Sequence, residues 1–209
     1  MDHRVFLNYL KEALTPQPKP NEVVQQVNIS YVQDLQGPSP HVQGRSFKGV
    51  PRMPKSYVDE IDLIAFCLMP NHFHLLIKQK SKESMESFMR SLLTRYSGYF
   101  NKKNNRVGPL FQGRYKAAAV TDDRYLLHLS RYIHLNPSES TNNLTDAYSS
   151  YAVYLNKVNV DWVKPDILLK LFNNPTIPEI EKVQTYKNFV ENYKKDSVEV
   201  LGKLILDDD

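Results

Sequence analysis

The chain has 209 residues, of which 41% are apolar and 24% charged, with a formal net charge of +4 and a sequence pI of about 9.0. A single cysteine, Cys67, excludes an internal disulfide and suits a reducing, cytoplasmic setting. No apolar run approaches the ~20 residues that a membrane helix needs, and the first residues lack a signal-type apolar core, so the expectation is a soluble chain with no membrane partner.

Val5, Phe6, Leu7, Tyr9, Leu10 and Leu14 recur at helical spacing and predict an N-terminal helix. The prolines of "TPQPKP" end it. Residues 15–55 are rich in Pro, Gly, Ser, Gln and Val and read as a long loop with one short strand near residues 27–32. "EIDLIAFCLMP" and "HFHLLIKQ" then read as two strands, or one bent strand, interrupted at Pro70-Asn71.

In "KESMESFMRSLLTRYSGYFNKK", Met85, Phe88, Met89, Leu92, Leu93, Tyr96 and Phe100 follow the i, i+3, i+4, i+7 pattern of an amphipathic helix. "TDDRYLLHLSRYIHLNP" predicts a second long helix, which Thr121 or Asp122 can cap and Pro137 stops. "DAYSSYAVYLNK" and "KPDILLKLFNN" predict shorter helices, followed by a small acidic tail.

Charge is uneven along this order. Between Arg90 and Arg131 nine Lys or Arg stand against two Asp, a net of +7 that exceeds the whole chain's. A solvated helix face explains such a run on charge alone. The interleaved Tyr96, Tyr99, Phe100, Phe111 and Tyr115 also suit single-stranded nucleic acid, where cations follow phosphates and rings stack on bases. Arg106, Arg114 and Lys116, with Arg95 and Arg131, are the candidate DNA-contacting residues.

Within "CLMPNHFHLLI", His72 and His74 are two residues apart, so on a strand they share one face while Phe73 points to the other. Two neutral imidazoles on a rigid face can hold a divalent metal; they can equally face solvent or a hydrogen-bonding groove. Two are too few for a structural zinc site, so a metal there would keep open positions, as catalysis requires. On the second long helix His128, Tyr132 and Asn136 fall at i, i+4 and i+8, on one stripe. Tyr132 is a candidate nucleophile and Asn136 a candidate oxygen ligand, although a core aromatic and a helix terminator before Pro137 fit the same positions. Tyr96 lies on an apolar repeat, and Tyr99 has Lys103 rather than a ligand one turn on, so neither competes well with Tyr132.

Together "CLMPNHFHLLIKQ", "YFNKKNNRVGPLFQGRYKA", "YLLHLSRYIHLNP" and "AYSSYAVYL" resemble the REP-associated tyrosine transposases, a branch of the IS200-like, HUH-type, single-tyrosine transposases. The resemblance implies an α+β fold: a ferredoxin-like antiparallel sheet with helices packed on one face. It divides the chain into a transposase domain at 1–155, with 15–55 as a loop insertion, and a helical C-terminal extension at 156–209. It also implies that His72, His74 and Asn136 bind Mg²⁺ or Mn²⁺ and that Tyr132 is catalytic. The expected substrate is single-stranded DNA beside hairpins, nicked and rejoined through a 5′-phosphotyrosine by a monomer or homodimer.

Family members begin with a strand, often "YHVxNRG", ahead of the first helix. Here the helix starts almost at Met1, so the sheet is expected either to lack that central strand or to be completed by residues 27–32. Two rival functions remain: a relative that binds hairpins without cutting, and a metal-dependent hydrolase that would need Asp59, Glu60 or Asp62 as further ligands.

Overall fold

The computed structural model describes residues 1–17, 54–139, 141–173 and 183–192. The strand expected at 27–32, most of the 15–55 loop and the acidic tail lie outside the described residues. The described part is α+β, built on a two-stranded antiparallel hairpin. β1 (Ile61–Leu68) and β2 (Phe73–Gln79) pair from Leu68↔Phe73 back to Ile61↔Gln79, around the Pro70-Asn71 interruption.

β1 is apolar on both faces, so both must be covered. Leu63, Phe66 and Leu68 point to one core, while Ile64, Ala65 and Cys67 point to a second. The two successive residues on the second face follow from a bulge between Leu63 and Ala65, which lets an extra side chain turn to the same side. The first face is covered by α1 (His3–Leu14), through Phe6, Leu10, Ala13 and Leu14, and by α2 (Ser84–Lys103), through Phe88, Met89, Leu92 and Tyr96. Each of the Phe, Leu and Met side chains taken out of water contributes about 1.5–3 kcal/mol. α1 and α2 thus form the helical layer expected on one face.

The second face is not left to solvent. It carries α3 (Asp123–Leu135), α4 (Tyr151–Tyr154), α5 (Asp166–Asn173) and α6 (Tyr186–Glu191), whose Leu127, Ile133, Tyr151, Tyr154, Leu168, Phe172, Tyr186 and Phe189 close around Ile64, Ala65 and Leu76. The helices expected to form a C-terminal extension therefore share a core with α3 and the hairpin.

α3 begins where the sequence predicts: the Asp122 carboxylate accepts from the N–H groups of Arg124 and Tyr125. It ends at Leu135, and a 3₁₀ turn over Asn136–Glu139 follows.

The outer edge of β1 is also occupied. Leu68 N–H donates to Tyr148 O (2.8 Å), Ser150 N–H to Phe66 O (3.0 Å) and Lys164 N–H to Leu63 O (2.8 Å), and the Tyr154 hydroxyl donates to Ile64 O beside the bulge (3.0 Å). Segments from the second half of the chain thus satisfy backbone groups that a missing neighbour would leave bare. No described helix is long and apolar enough to cross a membrane.

Candidate functional site

The site forms where the start of β2 meets the C-terminal end of α3. Cys67 pairs with His74 in the hairpin, and Cys67 faces the α3 core, so His74 faces α3 as well. His72 immediately precedes β2. Its ring lies 5.0 Å from that of His74, centroid to centroid, nearly perpendicular to it. Phe73 packs to the other side, against Phe6 and Phe111. The alternation expected from the sequence therefore holds.

α3 brings Tyr132 and Asn136 to this pair. The Tyr132 ring is 5.7 Å from the His74 ring, and Asn136 Nδ2 is 3.2 Å from His74 Nε2. Asn136 keeps right-handed helical backbone angles, and its N–H bonds to Tyr132 O. Asn136 thus caps the end of α3 without the left-handed turn common at that place, and its side-chain amide reaches His74. His128, on the same stripe in sequence, does not join the site. A step of eight residues along a helix drifts round its axis, and His128 is buried against Phe189 with Arg131 Nη2 2.6 Å from its Nδ1.

The donor set fits a divalent cation. His72 Nδ1 lies 2.8 Å from Asn71 Oδ1, a contact that a neutral ring makes with its proton on Nδ1, the tautomer that presents the Nε2 lone pair. That Nε2 is buried and has no hydrogen-bond partner among the described residues. A half-turn of the Asn136 amide exchanges its nitrogen for its oxygen, the atom a cation would take. Among the described residues no group of three or more His, Cys, Asp or Glu is placed to hold a metal, so His72, His74 and Asn136 would leave coordination positions open. The carboxylates that a hydrolase would need are elsewhere: Asp62 pairs with Lys78 at the far end of the hairpin, and Glu60 bridges to Lys55 at 2.7 Å.

Several basic residues make structural contacts, Arg106 among them, whose guanidinium lies 5.8 Å from the Phe100 ring. Arg95 bridges to Glu12 and lies 4.2 Å over the Tyr9 ring, tying α2 to α1. Arg131 lies 4.5 Å over the Phe189 ring, tying α3 to α6. Arg90 pairs with Glu86 and Lys103 with Asp2. Much of the +7 segment is therefore spent on structure. Arg106, Arg114 and Lys116 are exposed on the connection from α2 to α3, which contains no acid from 102 to 116. That connection is anchored behind the histidine pair, because Phe111 packs edge-on against Phe73 at 6.2 Å. Its entry turn is pinned too: Arg106 N–H bonds to Asn101 O, Asn101 Nδ2 bonds to Gly108 O, and Gly108 takes φ +91°.

Sequence reasoning missed two features. A cavity of about 480 Å³, lined by Arg4, Lys103, Asn104 and Tyr148 among others, lies beside the turn that precedes His72, where His3 Nε2 is 3.2 Å from Met69 O. Its members are scattered in sequence and share no local signal. The second is the fully buried His134, whose ionisation burial pushes down to about 3. In sequence it is one more polar residue near a helix end.

Residues 54–136 match the family model described as Transposase IS200 like. No curated protein and no solved structure matches the chain. The matched segment contains the hairpin, α2 and α3, with both histidines, Tyr132 and Asn136. It supports similarity to the IS200-like transposases and a DNA-processing, transposase-like function.

Proposed function

We propose that the chain is a strand transferase for single-stranded DNA, of the HUH, single-tyrosine kind, acting beside hairpins. The observation that carries this reading is the meeting of four side chains from two distant segments. His72 and His74 on the hairpin converge with Tyr132 on α3 and Asn136 at its end, and the buried His72 Nε2 has no hydrogen-bond partner among the described residues. A Mg²⁺ or Mn²⁺ ion held by His72, His74 and Asn136 would supply Lewis acidity to the scissile phosphate. The two imidazoles favour the softer Mn²⁺.

Tyr132 is the nucleophile. Its oxygen attacks phosphorus, an O–P bond forms, and the bond to the 3′ oxygen breaks. The phenolic proton is lost to solvent, and the departing 3′ oxygen takes one up. The phosphodiester energy is retained in the 5′-phosphotyrosine, so a second 3′-OH can reverse the step without a nucleotide cofactor. A phenol with an ordinary pKa of about 10 needs nearby positive charge to ionise at neutral pH, and a cation held by the adjacent histidine pair would supply it. Arg106, Arg114 and Lys116 follow the phosphates of the bound strand as it passes the site.

The test is cleavage of an oligonucleotide carrying a hairpin and single-stranded flanks, with Mn²⁺. Wild type should form a covalent 5′-linked adduct that maps to Tyr132, and Tyr132→Phe should bind equally well and form none. Adduct at another tyrosine refutes the assignment. Tight binding without any cleavage by wild type would favour the binding-only alternative.

A further inference from the structure

α3 has two working sides. At about 100° per residue, Tyr132 and Asn136 stand on one, and Ser130 and His134 stand on a different one. The second side is held by a buried chain of hydrogen bonds. His134 is fully buried, with Nε2 2.8 Å from Ser150 Oγ and Nδ1 2.9 Å from the Tyr186 hydroxyl. Phe66 N–H donates to Ser150 Oγ at 2.9 Å. The Tyr186 hydroxyl donates to Ser130 Oγ at 3.0 Å, and Ser130 donates to Leu127 O at 2.8 Å. With the imidazole neutral and its proton on Nδ1, every proton in this chain has an acceptor, from the β1 backbone through His134 to α6 and back to α3.

Such a chain restrains more than packing does. Apolar contacts tolerate a small slide or rotation of a helix, whereas a buried polar chain loses a bond at each slip and exposes no water to replace it. α6 reinforces the hold at its other end. Phe189 packs under the Arg131 guanidinium, its carbonyl lies 3.5 Å from Arg131 Nη1, and Glu191 accepts from the Tyr151 hydroxyl at 3.0 Å. Ser150 and Tyr186 both lie beyond residue 136, where the family match ends.

We infer that α6 is a clamp on α3, and that His134 and Tyr186 are positioning residues which fix the rotation of α3 and so present Tyr132 and Asn136 to His74. The inference rests on the strand-transfer reading for its consequence in catalysis, and on the geometry alone for the clamp.

The test uses the full chain and Tyr186→Phe, which keeps the ring and its contacts with Tyr154, Phe172 and Phe189 but removes the hydroxyl. Two readouts are taken. In ¹⁵N-histidine-labelled protein the imidazole signals of His134 and His74 are compared with wild type. In single-turnover cleavage of the hairpin oligonucleotide with Mn²⁺, the rate constant and the half-saturating DNA concentration are separated. The clamp predicts that the His74 signal moves, although Tyr186 sits on the other side of α3. It also predicts a rate constant lower by roughly ten- to a hundred-fold with half-saturation unchanged, as expected for a misplaced nucleophile. A His74 signal and a rate that both stay at wild type while His134 moves would overturn it. If wild type itself forms no adduct, the strand-transfer reading fails and the His74 signal alone decides the clamp. Should Tyr186→Phe not fold, Ser130→Ala breaks the same chain at its far end and receives the same two measurements.

Discussion

Replacing Arg106, Arg114 and Lys116 together by Ala separates the cations proposed to face a nucleic acid from cations that hold the fold. All three are exposed on a connection that has no acid from 102 to 116 and is pinned by Phe111 behind the histidine pair. Binding to a single strand releases about 0.7 counterion per phosphate neutralised, so losing three contacts should lower the slope of log affinity against log salt by about 2. Between 50 and 200 mM salt the wild type should then lose about 20-fold more affinity than the triple variant. Fluorescence anisotropy with a labelled hairpin oligonucleotide, titrated at four salt concentrations, reads the slope directly. Arg95→Ala is the control: it breaks the contacts to Glu12 and Tyr9, so it should lower stability, by about 0.5–2 kcal/mol, and leave the slope alone. A triple variant with the wild-type slope, or an Arg95 variant whose slope falls by as much, refutes the division.

The proposed metal site gives a second expectation: His72→Ala combined with His74→Ala should abolish Mn²⁺ binding in calorimetry and adduct formation while hairpin binding survives, whereas wild-type Mn²⁺ affinity in that variant removes the proposal. Tyr154→Phe keeps the stacked ring against Tyr186 but leaves the Ile64 carbonyl without its donor, so urea denaturation should show a loss of about 1–3 kcal/mol; no loss means that the bulge is satisfied otherwise. Asp2 accepts from Lys103 and Tyr99, which pull its carboxyl down from 3.8 to about 2. Its stabilisation is therefore present above about pH 4 and disappears as pH falls through about 2. Asp2→Asn should show a shallower loss of melting temperature across that window than wild type, and an identical acid profile would contradict the ion pair's role.

The elements and the facing of the candidate side chains were legible in the sequence because both are local. Helical spacing in α1, α2 and α3, the Asp122 cap and the break at Pro70-Asn71 depend on neighbours within a turn or two, and the shared face of His72 and His74 follows from the period of a strand. The stripe that pairs Tyr132 with Asn136 is equally local. Which of its residues reach the histidines was not, because His128 on the same stripe turns toward α6 instead. The basic segment shows the same limit. Nine cations look alike in sequence, yet Arg95 and Arg131 are taken up by Tyr9 and Phe189, partners far along the chain that only packing brings near. The coverage of the second face of β1, the occupied outer edge at Ser150 and Lys164, and the chain from Phe66 through His134 to Tyr186 were likewise beyond the sequence. Each joins groups 16 or more residues apart, and no periodicity records which distant hydroxyl will find a buried imidazole; only the closing of the core around β1 makes that choice.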